Sequence, residues 1–321
     1  MENITMLDMQ SNDMLSELNK SELEELRKEI KNASLPYRNK LGLSFTDTIG
    51  VEIEYENLSR DTVDRYIIHN HRGYISDSDE TVETGGEVDS PILVDKKEDW
   101  DELQEICFFL TENGAVTSQN AGGHIHIGSH VLENNLIYWR QFIKTYMLYE
   151  KDLLEFFKGE YSQMRLLVGR YAEPIAKFLY QDLEKLNSIL SFSDMYDEIF
   201  LQDRNVAVNF KNIKRGVYKP YPGSTLEFRS PNGTSKEIIW QNNINTAAKL
   251  LKAPGKELID EDYLDYRLRE GLPTKPSLAN ALELVDAIFD NNLDKIYFLK
   301  QYNKDFNFSE EKSRGLVKSK F

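Results

Sequence analysis

The 321-residue sequence predicts an α+β fold built on a largely antiparallel sheet. Three observations carry this. Short strand-like stretches alternate apolar and polar residues, so each has one face for the core and one for solvent or a cleft. Longer stretches with apolar residues at helical spacing lie between them. The two kinds are interleaved without the regular strand–helix beat of a doubly wound sheet, whose parallel strands would be apolar on both faces.

Residues 1–45 are polar and read as a peripheral helical extension. Ser21 and Glu24 fit a capping box, followed by a helix from Glu22 to about Lys31 that stops before Pro36. From Thr48 to Glu56 the period becomes two, placing Ile49, Val51, Ile53 and Tyr55 on one face and Glu52, Glu54 and Glu56 on the other. Asp99 to Asn113 is helical, with Gly114 where a helix-terminating glycine belongs. Strand-like stretches follow at Gly123–Gly128, Asn205–Phe210 and Ser224–Ser230, and helices at Glu133–Lys158, 235–251 and 277–290. No Pro/Gly/Ser-rich linker divides the motif-bearing strands, so residues 46–255 read as one domain. Residues 256–321 read as a C-terminal helical extension with a loosely held polar tail.

Composition narrows the function. Lysine plus arginine number 39 against 54 acids, a net charge of −15, and no basic block offsets it. Such a chain is repelled by a polyphosphate backbone, which argues against nucleic acid as a partner. The single cysteine, Cys107, excludes an internal disulfide and fits a reducing compartment. No apolar run approaches a membrane span, and the N-terminus lacks the basic and apolar regions of a secretory signal. The expectation is a soluble cytoplasmic protein with no membrane partner.

Three strands carry polar pairs at i and i+2: Glu52 with Glu54, His124 with His126, and Glu227 with Arg229. Each pair shares a face and is braced by apolar neighbours pointing the other way. Singly, these read as a solvated face, an exposed pair of histidines and a surface ion pair of little worth. Recurring on three strands, they describe a cleft holding carboxylates, imidazoles and an arginine. Gly122-Gly123 ahead of the histidines signals a bend or a close backbone approach. An H-x-H strand also suits a zinc hydrolase, but no histidine follows His130 to complete a zinc site. A non-catalytic protein binding metal or a basic peptide is a third reading.

The ordered set GVEIE (50–54), GGEVDSP (85–91), AGGHIHIG (121–128), RNVAVNF (204–210) and STLEFRSPNGT (224–234) resembles the putative amidoligase family of carboxylate–amine ligases. That group is related to glutamine synthetase and glutamate–cysteine ligase. GRYAEP (169–174) is a looser sixth match. The resemblance implies a curved, glutamine synthetase-like sheet with helices on its convex face and ATP and magnesium, or manganese, on its concave polar face. It implies transfer of phosphate to a substrate carboxylate and displacement by an amine, on small molecules or peptides. By the same analogy Glu52, Glu54, Glu87, His124 and Glu227 bind metal. Arg229 and Arg204 contact phosphate, together with Glu52 on the nucleotide side, and His126 faces substrate or phosphate. Asp77 and Asp79 fall either in a substrate loop or in an exposed acidic turn. Arg170 suits a substrate carboxylate or an interhelical ion pair. His69 and His71 read as surface residues, His130 as part of a turn, and the aromatics of 138–161 as helix packing. The stretch from Gly128 to Arg204 receives helices but no roles.

Overall fold

The computed structural model describes residues 14–305 apart from 80, 81, 83, 118, 119, 134, 167, 201–204 and 214–223. The polar C-terminal tail and Arg204 therefore lie outside the described residues. Six strands form one sheet: β1 (Ile49–Glu56), β2 (Ile75–Asp77), β3 (Gly85–Asp89), β4 (Gly123–Gly128), β5 (Val208–Asn209) and β6 (Thr225–Phe228). Their order is β2-β3-β1-β4-β6-β5 and every pairing is antiparallel. The fold is α+β.

The helices are α1 (Lys20–Asn32), α2 (Arg60–Asn70), α3 (Lys97–Glu112) and α4 (Leu136–Phe157). Four short turns follow, α5 (Val168–Tyr171), α6 (Ala176–Leu179), α7 (Leu183–Ser188) and α8 (Phe192–Met195). The C-terminal half adds α9 (Glu237–Lys252), α10 (Glu261–Glu270), α11 (Leu278–Ile288) and α12 (Asn292–Tyr302). Among the described residues no helix is long and apolar enough to cross a membrane.

Val51, Ile53, Val88, Ile125, Ile127, Leu226 and Phe228 make the buried face of the sheet. Phe142 and Tyr146 of α4 set their rings against Phe228, and Trp240 of α9 sits under β4 at Gly123. This apolar layer continues outward through both flanking segments. Leu26 and Ile30 of α1 and Phe298 of α12 belong to the same core as the sheet.

Several local features differ from the sequence reading, each for a physical reason. The capping box of α1 is Asn19 with Glu22, not Ser21 with Glu24. Asn19 Oδ1 accepts from Ser21 N and Glu22 N, and the Glu22 carboxylate in turn accepts from Asn19 N. Asparagine caps as well as serine, so the same spacing two residues earlier wins, and Glu24 pairs with Arg27 instead. β3 is not among the strand-like stretches of the sequence, because Gly85-Gly86 carries no side chains to show an alternation. There β3 crosses β1 so closely that a Cβ at Gly85 would land on the Tyr55 carbonyl. α12 is masked because its buried face includes Lys295, Lys300 and Gln301, which defeat a hydrophobic pattern. These groups are buried because they have partners. Lys300 Nζ, for example, donates to Ile30 O at the end of α1, 2.9 Å away.

Candidate active site

Opposed residues of an antiparallel pair share a face, so register sorts the polar side chains into rows. Asp77, Glu87 and Glu54 form one row across β2, β3 and β1. Asp89, Glu52 and His124 form the next across β3, β1 and β4. His126, Glu227 and Asn209 form the third across β4, β6 and β5. The face is acidic at its β2–β3–β1 side and mixed at its β4–β6–β5 side.

Side-chain contacts knit the rows together. Glu52 accepts from both histidines, from His124 Nδ1 at 2.6 Å and from His126 Nε2 at 2.8 Å. His126 Nδ1 meets Thr225 Oγ1 at 3.2 Å. His124 Nε2 lies 3.4 Å from Glu54 Oε1, and His124 Nδ1 lies 3.8 Å from Glu227 Oε1. Glu227 also accepts from Asn209 Nδ2 at 2.7 Å and from the Arg229 guanidinium. Glu54 accepts the Gly122 N–H. The Glu54 side chain is 1% exposed and that of Glu52 27%, so the site opens toward Glu52.

The electrostatics follow from this crowding. Burial disfavours a charge on Glu52, but its hydrogen bonds to His124 and His126 outweigh that and hold its carboxyl well below the ordinary range. Burial works against a proton on His126, and Glu52 more than offsets it, so the imidazole keeps its proton above the usual pH. Glu87 has no such cation beside it. Burial first, then Asp89, Glu52, Asp79 and Glu54, push its carboxyl up to about 8. Burial and Glu52 push Asp89 up to about 6, and among the described residues its buried Oδ1 has no hydrogen-bond partner.

Among the described residues two groups on this face could hold a metal ion, Glu52–His124–Glu227 and Glu54–Asp79–Glu87. Within each, one potential ligand atom per residue lies within 4.8 Å of the others. Oxygen donors dominate both, with one imidazole, which suits hard cations such as Mg²⁺ or Mn²⁺.

A family model described as putative amidoligase enzyme matches residues 67–251, more than half of the chain. The chain belongs to the amidoligase family. Membership carries a ligase-type chemistry, the forming of amides. No curated protein matches the chain. The matched span begins after β1, so Glu52 and Glu54 join this amidoligase site through strand register rather than through the family match.

Of the residues singled out from sequence, Glu52, Glu54, Glu87, His124, His126, Glu227 and Arg229 come together on one face of the amidoligase sheet. Asp79 joins them, whereas Asp77 is exposed and stands 3.9 Å from Arg60. The other histidines are engaged elsewhere: His69 with the Arg65 carbonyl, His71 with Tyr66, and His130 with the Thr46 carbonyl. His71 is 3% exposed, a correction to its reading as a surface residue. The helix end turns it inward against Tyr66 and Tyr74. Arg170 is exposed and lies over the Tyr171 ring. Sequence reasoning missed three participants. Asp89 and Asn209 stand inside quoted motifs, and the i+2 rule applied to Glu87 and to Val208's neighbours would have found them. Arg165 lies in a loop where no periodicity applies.

Arg229 spreads its guanidinium in two directions, Nε to the Tyr171 carbonyl at 3.0 Å and NH1 to Glu227. A lysine ammonium is a single point and cannot serve both. Arg229→Lys is therefore expected to lose turnover nearly as fully as Arg229→Ala, by about 100-fold or more, the scale of one oriented donor at a reacting oxygen. Near wild-type turnover in the lysine variant would reduce Arg229 to a structural ion pair.

Proposed function

We propose that this protein is an ATP- and divalent-metal-dependent ligase that joins a substrate carboxylate to an amine through an acyl phosphate, in the manner of glutamine synthetase-like enzymes. The observation that carries this reading is the pair of oxygen-rich ligand groups on one polar sheet face, in a chain of the amidoligase family. Cations held there, Mg²⁺ or Mn²⁺, would neutralise charge on the β- and γ-phosphates during transfer. Glu52, His124 and Glu227 would hold one and Glu54, Asp79 and Glu87 the other.

The chain's own groups fit the remaining tasks. Arg229, already oriented by Tyr171 O and Glu227, would meet phosphate oxygens without covalent participation. Its role would be shared with Arg204, which lies outside the described residues. His126, held between Glu52 and Thr225 Oγ1, would face a phosphate or substrate oxygen at the open side of the site. No protein nucleophile is required, since carboxylate and amine both come from substrates, and Cys107 is fully buried. Holding both reactants beside each other away from water favours amide formation over hydrolysis. Small-molecule or peptide substrates and a cytoplasmic setting complete the proposal.

A zinc hydrolase is less well supported, because the two candidate groups hold one imidazole against five carboxylates and the histidines outside the strand, His69, His71 and His130, are engaged elsewhere. Incubation with ATP, Mg²⁺ and pooled amino acids and peptides separates the readings. The expected products are ADP and phosphate together with an amide, dependent on both substrates. Substrate-dependent AMP and pyrophosphate would rule out the acyl-phosphate route. Peptide or amide cleavage without ATP, lost on zinc removal, would favour the hydrolase.

A further inference from the structure

Arg165 lies between α4 and α5, outside every motif discussed above. Its side chain is 1% exposed, and arginine is rarely so buried without something to hold. We propose that Arg165 is a positioning residue that fixes the two cation-holding groups relative to each other. This rests on reading those groups as metal sites.

The geometry of one planar group carries the inference. Arg165 NH2 donates to the Arg229 carbonyl at 2.9 Å and lies 3.5 Å from His124 Nε2. Its NH1 lies 3.7 Å from Glu54 Oε2. A single guanidinium thus touches β1, β4 and the chain leaving β6. Glu54 belongs to one ligand group and His124 to the other, so Arg165 stands where the two meet.

The surroundings are built to admit it. A Cβ at Gly122 would fall on the guanidinium, and the Gly122 N–H holds the Glu54 carboxylate. The loop carrying Arg165 is pinned at its base. Arg165 N–H donates to Asn232 Oδ1 at 2.9 Å, and Asn232 Nδ2 donates back to the Gln163 carbonyl at 2.9 Å. Among the described residues Arg165 Nε is buried without a hydrogen-bond partner, a cost that packing alone does not offset. Glycine's missing side chain, the anchored loop and the two-sided contact together place a rigid fork between the groups.

Two roles for this arginine predict opposite signs. A bare positive charge beside two cation sites opposes metal binding by Coulomb repulsion, so removing it would tighten binding. A brace that orients Glu54 and His124 has the reverse effect, with losses of about 10- to 100-fold on removal, as for other groups that orient metal ligands.

The test is a Mn²⁺ titration of the full chain, with free ion read by electron paramagnetic resonance and the fold checked by metal-free thermal melts. Wild type is expected to bind two Mn²⁺, one per ligand group. R165M is expected to bind Mn²⁺ at least about 10-fold more weakly. R165K should not rescue binding, because one ammonium cannot reach both Glu54 and the Arg229 carbonyl. G122A keeps the charge but sets a Cβ against both the fork and the Glu54 carboxylate, so it should weaken binding at least as far as R165M does, and unweakened binding in it decides against the brace should R165M not fold. Equal or tighter binding in a folded R165M or G122A, or full rescue by R165K, would overturn the proposal while leaving the metal reading intact. A wild-type chain that binds no Mn²⁺ would overturn the metal reading and this inference with it.

Discussion

Glu87→Gln is expected to separate stability from function. Turnover should fall by about 1,000-fold, since a cation lost from the site forfeits several kcal/mol of transition-state stabilisation. The metal-free fold should be no weaker. Burial and four neighbouring carboxylates push the Glu87 carboxyl up to about 8, so near neutral pH the metal-free side chain is largely a neutral acid that glutamine imitates. The sign follows from linkage. An acid whose pKa is raised by folding costs stability as pH climbs from the ordinary carboxylate range toward 8, and the cost is constant above that. Glutamine escapes it. Metal-free melts at pH 5 and pH 9 should therefore show the variant gaining on wild type at the higher pH. Metal ligation requires the carboxylate, so Mg²⁺ or Mn²⁺ affinity of wild type should weaken as pH falls from 8 to 6, with protons released on binding. A variant that keeps wild-type turnover would remove Glu87 from the metal set, and one that loses ground at pH 9 would mean that folding does not raise its carboxyl.

The second large effect lies far from the site. Lys295 of α12 and Asp286 of α11 form an ion pair at 2.8 Å with side chains 0% and 1% exposed. Asp286 also accepts from the backbone N–H groups of Leu15 and Ser16, at 2.9 and 2.7 Å, and from the Ser16 hydroxyl. One carboxylate thus ties the N-terminal segment to the C-terminal helices. Lys295→Met would leave that carboxylate buried without its cation, a loss of about 3–5 kcal/mol. Urea unfolding measures it directly. The double variant Lys295→Met/Asp286→Asn should recover part of the loss, because the stranded charge is gone. A single-variant loss below about 1 kcal/mol would mean that water reaches the pair, as it does for surface bridges.

The polar face of the sheet was legible in the sequence because strand periodicity is a local property. Alternation alone puts Glu52 with Glu54, His124 with His126 and Glu227 with Arg229 on common faces, each opposite the residues that the core requires. The helices with plain apolar stripes, α3, α4, α9 and α11, were legible for the same reason. Local pattern could not disclose which strands lie side by side. Register brings Glu87 opposite Glu54 and Asp89 opposite Glu52, and register is decided by long-range pairing and the close approach at Gly85.

The gathering of the acids into two clusters that could hold a metal ion is likewise a tertiary property, as is the inclusion of Asp79 from a loop. α12 was hidden because buried lysines interrupt its apolar stripe, and their partners lie on other elements: the Ile30 carbonyl, 270 residues away in sequence, for Lys300 and Asp286 of α11 for Lys295. Arg165 was hidden for the deepest reason. It has no periodic neighbourhood, and its place depends on a glycine on β4's approach, a carboxylate on β1 and a carbonyl beyond β6. Sequence determines which faces are polar, since that follows from each residue's own solvation. Only the folded chain decides which polar groups meet, since that depends on contacts between segments far apart along it.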